Sequence, residues 1–288
     1  MIDSDTGSTV PRWRLGRELG KLREQSGLKT AQIEARTGFS RSKIYRMETG
    51  KSPSRRADVE ILCQIYRAPA RLTKALTALA TETTKTGWWH QYGDVIPSWF
   101  ELFAGMEAYA ESMDIYEPEL VTGLLQTHDY AYEVMRTADE DDGDEEEIER
   151  IVAMRLARQD RLTDENPPRL NIILNEAVLR RPAGNGAIMA EQLRHVNDVG
   201  RRDGVVVRVL PFSAGLHAAM MGSFMYMRFP ERAIPDVVYH DTVTGSLYLD
   251  RAAQRKPYRQ MWRDIDRRAL DRETSRDLIA KTAKEYES

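Results

Sequence analysis

The sequence contains one cluster of side chains suited to hydrogen bonding with nucleic acid, and its members are Arg41, Ser42, Lys43 and Arg46. Ser40 precedes them and can cap a helix, and the apolar residues Ile44 and Met47 follow at a spacing of three. This pattern predicts a helix that buries one face and exposes the cluster on the other. At the start of such a helix, polar side chains reach base edges and the free N–H groups favour phosphate. The cluster therefore predicts a helix that enters the DNA major groove.

Two further helices and a glycine turn are expected to position this helix. The first opens after Pro11 and ends at Gly27, and it has leucines at spacings of four and three: Leu15, Leu19 and Leu22. The second runs from Thr30 to Thr37, with Thr30 as the expected N-cap. Gly38 then permits a sharp turn. This order of elements is typical of a helix-turn-helix.

Charge is unevenly distributed along the 288-residue chain, whose formal net charge is −3. Residues 11–85 contain 17 Lys and Arg against 7 Asp and Glu, a balance of +10, and residues 1–10 contain two Asp. Residues 86–288 contain 25 against 36, a balance of −11. A basic segment joined to an acidic remainder is expected of a nucleic-acid-binding module attached to another domain. The alternative is a helical bundle whose basic residues only form a solvated face.

The basic segment resembles the XRE-type (lambda-repressor-like) helix-turn-helix domains over about residues 13–80. The similarity rests on Gly27-Leu28, Gly38-Phe39-Ser40, Ser42-Lys43-Ile44 and Arg46-Met47-Glu48-Thr49-Gly50, and on two more predicted helices at residues 57–66 and 70–76. The resemblance implies base contacts from Thr30, Arg41, Ser42 and Arg46. It implies phosphate contacts from Lys43, Lys51, Ser52 and Arg56. Thr30 and Arg41 stand where the family often has Gln, and Glu34 replaces a usual small residue, so the base preference of relatives does not transfer.

The rest of the chain predicts a larger α+β domain. We expect a disordered tail at residues 1–10, the helix-turn-helix domain at 11–85, and the α+β domain at 86–288, helical over 86–166 and sheet-containing over 167–288. Short β-branched or aromatic runs predict strands at residues 170–174, 205–210, 224–229, 237–239 and 245–249. A helical spacing predicts one buried helix through Trp99, Phe103, Met106, Ala110 and Met113. The fold class is thus an all-α five-helix domain followed by an α+β domain with a mainly antiparallel sheet.

The sequence offers no support for several classes of function. Cys63 is the only cysteine and lies among apolar residues, which argues against a disulfide, a multi-thiolate zinc site and a nucleophilic thiol. The five histidines are scattered and no nucleophile motif is present, so we expect neither catalysis nor a metal or other cofactor. No apolar run approaches about 18 residues and no signal-peptide pattern follows Met1. These features predict a cytoplasmic, nucleoid-associated protein with no membrane partner.

A second resemblance covers nearly the whole chain. Gly87-Trp88-Trp89, residues 116–127, Arg155 with Arg158-Gln159, and residues 175–180 and 209–215 are similar to an actinobacterial family of WhiJ-like regulators. In that family an XRE-type domain precedes a C-terminal domain of unknown function. The resemblance implies a transcriptional regulator, a repressor of development or secondary metabolism. Members are often encoded beside a small partner protein, in a pairing likened to antitoxin and toxin.

The mode of regulation is left open between a protein partner and a small molecule. The turn-rich segment at residues 117–126 offers candidate binding residues for either: Glu117, Pro118, Leu124, Leu125 and Gln126. We favour a small protein from a neighbouring gene that binds the acidic domain and modulates DNA affinity. A domain that senses a small molecule is the alternative, and an enzyme fused to a helix-turn-helix is a third. A homodimer on a double-stranded DNA operator is expected, because one small domain contacts too few base pairs for high specificity.

Overall fold

The computed structural model describes residues 9–83, 88–92, 100–138, 144–230, 235–242 and 245–287. Contacts within the chain divide these residues into two compact units. The first unit contains the described residues up to 91 together with 100–109, and the second contains residue 92 and the described residues from 110 onward. Residues 1–8 of the predicted tail lie outside the described residues.

The first unit is helical in its described part. Its helices are α1 (Thr9–Ser26), α2 (Thr30–Thr37), α3 (Arg41–Glu48), α4 (Arg56–Ile65), α5 (Ala70–Glu82) and α6 (Phe100–Tyr109). Helices α1 to α5 confirm the predicted all-α helix-turn-helix region. The predicted start of α1 after Pro11 is wrong, because Thr9 and Val10 already belong to the helix. Pro11 fits there since the first N–H groups of a helix have no intrahelical partner.

The core of the first unit comes from the apolar faces that the leucine pattern predicts. Its buried members are Leu15, Leu19, Leu22, Ile33, Ile44, Met47, Val59, Leu62, Cys63, Tyr66, Leu76 and Ala80. Gly16 lies where α1 meets the end of α3, and a Cβ atom there would be 2.6 Å from the backbone nitrogen of Gly50. It would also be 2.7 Å from the carbonyl oxygen of Met47. Only glycine permits this approach, which fixes α3 against α1.

The second unit is built on a six-stranded sheet. Its strands are β1 (Ser112–Glu117), β2 (Arg169–Asn175), β3 (Val205–Leu210), β4 (Phe224–Arg228), β5 (Val237–Thr242) and β6 (Gly245–Leu249). They lie in the order β3-β2-β1-β4-β5-β6. The β1–β2 and β2–β3 pairs are parallel, and the three other pairs are antiparallel. The α+β fold class with a mainly antiparallel sheet and all five predicted strands are therefore confirmed.

Strand β1 was not predicted, and it corrects the expected helix through Met113. Helix α6 ends at Tyr109, and Met113 pairs in parallel with Leu170 of β2. The strand is buried along nearly its whole length because it lies in the middle of the sheet. Met113 and Ile115 alternate with Ser112 and Asp114, and this period of two was the signal in the sequence.

Helices connect the parallel strands and cover the sheet. They are α7 (His128–Ala138), α8 (Glu145–Ala157), α9 (Glu176–Arg180), α10 (Gly186–Val199), α11 (Ala252–Arg268) and α12 (Arg272–Glu285). Parallel neighbours need crossover connections, which α7 and α8 supply between β1 and β2, and α9 and α10 supply between β2 and β3. Ile265 of α11 packs on Tyr116, Ile173 and Phe224.

Candidate nucleic-acid interface

The turn between α2 and α3 is fixed by the residues that the sequence singles out. Gly38 has a φ of 71° and its N–H donates to the carbonyl oxygen of Glu34 at 2.9 Å, which ends α2. Ser40 Oγ accepts from the N–H of Lys43 at 3.2 Å and caps α3. The expected N-cap of α2 is wrong by one residue: Lys29 is the cap and Thr30 is the first helical residue. The orientation of α3 is thus set by backbone geometry at both sides of the turn.

A partly buried acidic side chain, Glu48, ties α3 to the rest of the first unit. Both carboxylate oxygens of Glu48 accept from Arg23 Nε, at 2.8 and 2.9 Å. Tyr66 Oη donates to Glu48 Oε1 at 2.8 Å. The hydrogen bond to Glu48 raises the pKa of Arg23, and burial, with Glu48 nearby, raises the pKa of Tyr66. Glu48 therefore joins three elements of the unit, a role that sequence patterns alone did not reveal.

The exposed face of α3 carries three of the predicted base contacts. Arg41, Ser42 and Arg46 are all exposed. Arg46 Nη1 donates to Ser42 Oγ at 2.9 Å, so these two side chains form one polar group. Tyr45, which the sequence analysis did not select, is 54% exposed on the same face. The exposed part of α3 therefore carries polar side chains and one aromatic ring.

Arg41 is held by a neighbour on α2. Its Nε donates to Glu34 Oε2 at 2.8 Å, and both side chains are solvent-accessible. Glu34 is the residue that departs from the small side chain usual at this position in XRE-type domains. An exposed ion pair of this kind is weak, about 0.2–1 kcal/mol, so it orients Arg41 without preventing its release to another acceptor.

The residues predicted to contact phosphate differ in whether their charge is already paired within the protein. Lys43 Nζ lies 2.9 Å from Asp58 Oδ2 and 3.7 Å from the centre of the Phe39 ring, so its charge is compensated within the protein. Lys51 is exposed and its Nζ lies 5.2 Å from the centre of the Tyr45 ring, beside the α3 face. Arg56 is exposed at the start of α4.

Ser52 and Thr30 are both half-buried. Thr30 opens α2, whereas Ser52 lies in the segment between α3 and α4. The structure therefore brings Lys51 to the base-contact face and directs Lys43 toward Asp58.

Most of the predicted partner segment of the second unit is buried. Leu124 and Leu125 are fully buried, and Gln126 is 2% exposed. Gln126 Nε2 donates to the carbonyl oxygen of Val121 at 2.7 Å. These three residues pack the inside of the unit, which corrects their assignment as contacts for a partner protein. Only Glu117 and Pro118 of the candidate set are partly exposed.

Glu117 lies in a group of opposite charges at the carboxyl end of β1. Burial, with Asp241 nearby, raises its pKa to about 8 even though Arg155 and Arg158 oppose the shift. Burial lowers the pKa of Arg155 to about 10. Gly123 gives room to Arg158, since a Cβ atom at Gly123 would lie 2.9 Å from Arg158 Nη1. A partly exposed carboxyl group that holds its proton near neutral pH is the most unusual group of the segment.

Large apolar side chains are exposed between β3 and β4. They are Phe212, Leu216, Met220 and Met221, and Met221 is 91% exposed. An exposed apolar group of this size marks an interaction surface more often than does an isolated residue.

No group of three metal-ligating side chains is found in the described part of the chain. The described helices also include none that is long and apolar enough to cross a membrane.

Comparison with known families finds one family model that matches the N-terminal region and a second that matches most of the rest of the chain. A helix-turn-helix domain matches residues 14–76, which include α2, the turn and α3. A domain of unknown function (DUF5753) matches residues 100–281. No curated protein and no solved structure matches the chain. The helix-turn-helix prediction is confirmed, and the narrower resemblance to WhiJ-like regulators stays a prediction. Because the second match covers 182 of the 288 residues, the chain belongs to the DUF5753 family and joins that domain to an N-terminal helix-turn-helix domain.

Proposed function

We propose that the protein is a sequence-specific transcriptional regulator, an XRE-type repressor that binds operator DNA through α3. The observation that carries the proposal is the exposed face formed by Arg41, Ser42 and Arg46, on a helix that Ser40 caps and Glu48 anchors. An arginine at the beginning of a recognition helix is suited to guanine, whose O6 and N7 accept two hydrogen bonds. Lys51 and Arg56 supply phosphate contacts, and Lys43 positions the helix through Asp58.

The proposal is tested by exchanging one base contact and one phosphate contact. The operator is first obtained by selecting bound duplexes from a random pool with the full chain. Arg41→Ala is expected to cost about 1–3 kcal/mol on the selected duplex and to relax the preference at one base position. Arg56→Ala is expected to weaken all duplexes alike and to make the salt dependence shallower. Fluorescence anisotropy on the selected duplex and its single-base variants measures both effects. Equal weakening of all sequences by Arg41→Ala would assign Arg41 to phosphate only.

We also propose that the protein has no catalytic activity and that the second unit receives the regulatory signal from a small protein encoded nearby. Support comes from the exposed apolar group that ends at Met221 and from the −11 balance of residues 86–288, which suits a basic partner. Co-expression with the product of the neighbouring small gene tests this proposal. Co-purification that is lost in Leu216→Ser/Met221→Ser supports it, and separate elution at low salt contradicts it.

A small-molecule signal is the second candidate function. The observation that favours it is a polar cavity of about 830 Å³ in the second unit.

A further inference from the structure

The polar cavity of the second unit opens at the amino ends of three parallel strands. Ser112, Arg169 and Val205 are the first residues of β1, β2 and β3, and all three line it. Its volume of about 830 Å³ is within the range of about 300–1,000 Å³ that small-molecule sites occupy. Most of its lining side chains are polar or charged. We call it the arginine cavity, after the five arginines among its lining residues.

The rim of the cavity carries positive charge that the protein compensates only weakly. Four exposed arginines form it: Arg169, Arg201, Arg202 and Arg272. Arg169 Nη2 lies 3.3 Å from Glu111, and Arg201 Nη1 lies 3.9 Å from Asp198. Exposed ion pairs at such distances contribute little to the stability of the protein, and they leave each guanidinium group available to a ligand.

The two other rim arginines have no acidic partner in the described part of the chain. Arg272 Nη2 donates to the carbonyl oxygens of Gly200 and Val205, each at 3.1 Å. These bonds hold the side chain in place and leave its positive charge uncompensated. Arg202 makes no side-chain hydrogen bond or ion pair to any described residue. The rim therefore presents guanidinium groups whose charge and donor geometry suit an anion, although the exposed Asp203 also lines the cavity.

The floor of the cavity is a buried carboxylate. Asp114 is only 3% exposed, and its two oxygens accept from Asn171 Nδ2, at 3.0 Å, and from Arg228 Nη2. Each carboxylate oxygen can accept a second hydrogen bond, so Asp114 retains acceptor capacity toward the cavity. Ser112, also buried, adds a hydroxyl group beside it. A ligand that reaches the floor must supply hydrogen-bond donors, as hydroxyl groups do.

An aromatic side chain lines the cavity as well. Trp262 of α11 packs edge-to-face on Phe224, with ring centres 6.4 Å apart, and is partly buried. The contact supports the indole from one side, and the indole gives the cavity an apolar surface suited to a sugar ring or a base.

The residues that line the cavity have a positive net charge, whereas the region that contains them has a negative one. Five arginines and three aspartates line it, a balance of +2, within a region whose balance is −11. One of the aspartates, Asp114, is already paired with Arg228. A positive site on an acidic domain is not explained by general composition and indicates an anionic ligand.

We propose that the arginine cavity binds a phosphorylated, hydroxyl-rich small molecule, a sugar phosphate or a nucleotide. The phosphate lies on the arginine rim, and the hydroxyl groups donate to Asp114. The proposal goes beyond DNA binding by α3 and does not depend on it, because the cavity is lined only by residues of the second unit.

The test is isothermal titration calorimetry of the full chain in a buffer free of phosphate. The probes are glucose 6-phosphate and AMP, with glucose, adenosine and inorganic phosphate as comparisons. We expect glucose 6-phosphate or AMP to bind at least about tenfold more tightly than its unphosphorylated parent, because the phosphate adds charge-assisted hydrogen bonds and tenfold corresponds to only about 1.4 kcal/mol. The compound that binds distinguishes a sugar-phosphate site from a nucleotide site. If neither binds, or if inorganic phosphate binds as tightly as the better probe, the proposal is overturned.

A matched pair of double variants assigns the binding to the rim. Arg201→Gln/Arg202→Gln removes two exposed rim charges and is expected to weaken the better probe by about tenfold or more. Arg263→Gln/Arg276→Gln removes two exposed charges that do not line the cavity, and it should bind like the unaltered protein. Equal binding by both double variants would overturn the proposal.

A random-sequence duplex provides a further arm of the test. If Arg201→Gln/Arg202→Gln loses affinity for this duplex relative to its control, the rim is a nucleic-acid surface and the proposal fails. DNA binding by α3 is read separately with Arg41→Ala, so failure of one proposal leaves the other standing.

Discussion

At the scale of single residues, the interface depends on which acceptor each cation already has. Lys43 and Arg41 have the same charge, yet Lys43 lies between Asp58 and the Phe39 ring while Arg41 is held only by Glu34 at the surface. The sequence assigns both to DNA. Their surroundings separate them, because a half-buried cation with two partners costs more to release than an exposed one with a single partner.

Glu34 is expected to tune DNA binding by competing with phosphate and base for Arg41. Glu34→Gln removes a negative charge from the interface and ends the competition, which is worth about 0.2–1 kcal/mol. Affinity for random-sequence duplex should rise by up to about fivefold, and discrimination between operator and random duplex should fall. Glu60→Gln, on the exposed part of α4, is the charge-matched control. Fluorescence anisotropy measures both variants, and weaker binding of random duplex by Glu34→Gln would contradict the competition.

Glu117 is expected to make stability depend on pH. Its pKa rises from about 4.3 in the unfolded chain to about 8 in the folded protein. The folded state therefore favours the protonated form, and the stabilisation from that preference is lost as the pH rises from about 4.3 through 8. Glu117→Gln resembles the protonated form and should flatten this dependence. Its melting temperature should match that of the unaltered protein at pH 5 and exceed it at pH 8.5. A constant difference at both pH values would refute the assigned pKa.

At the scale of elements, the position of α3 depends on the close approach of α1. The Leu15, Leu19 and Leu22 stripe determines which face of α1 is buried, but this stripe leaves the distance between helices open. Gly16 sets that distance, because its missing side chain lets the backbone around Gly50 come close. A recognition helix needs such rigid support to keep its side chains in register with base edges.

Two glycines of α1 offer a matched test of this contact. Gly16→Ala places a Cβ atom within 2.7 Å of backbone atoms at two residues and is expected to destabilise the first unit by about 1–3 kcal/mol. Gly20→Ala meets only the carbonyl oxygen of Glu48 at 3.9 Å and should stabilise α1 by about 0.5–1 kcal/mol. Hydrogen exchange of peptides from α1 and α3 measures both changes. Similar protection in the two variants would show that the contact does not set the packing.

At the scale of the whole molecule, one helix-turn-helix domain is joined to one DUF5753 domain. A single α3 reads a few base pairs, which is too little to select one operator in a genome. We therefore expect the protein to bind its operator as a dimer, with two α3 helices in half-sites about 34 Å apart.

Sedimentation velocity of the full chain, free and with the selected duplex, tests the dimer. The complex should have the mass of two chains on one duplex. Inserting five more base pairs between the half-sites should reduce the affinity, because the insertion turns the half-sites to opposite faces of the DNA. A duplex of scrambled sequence and equal length is the control. One chain per duplex at saturating protein concentration would exclude the proposed dimer.

The sequence by itself determined the features that depend on near neighbours along the chain. The helices of the first unit follow from apolar residues three and four apart, the turn follows from Gly38, and the cap of α3 follows from Ser40. The strands at residues 205–210 and 245–249 follow from short apolar runs between turn residues. These signals are readable because helix periods, caps and turns are decided within a few residues.

Only the tertiary structure decided the features that join distant parts of the chain. Glu48 meets Arg23 and Tyr66 across 25 and 18 positions, and the arginine cavity gathers residues from Ser112 to Arg272. The sequence does not predict the central strand β1, and it offers Leu124, Leu125 and Gln126 as binding residues although the folded protein buries them. The physical reason is the same in each case: burial and charge pairing depend on which surfaces meet after folding, and local sequence does not specify the partner.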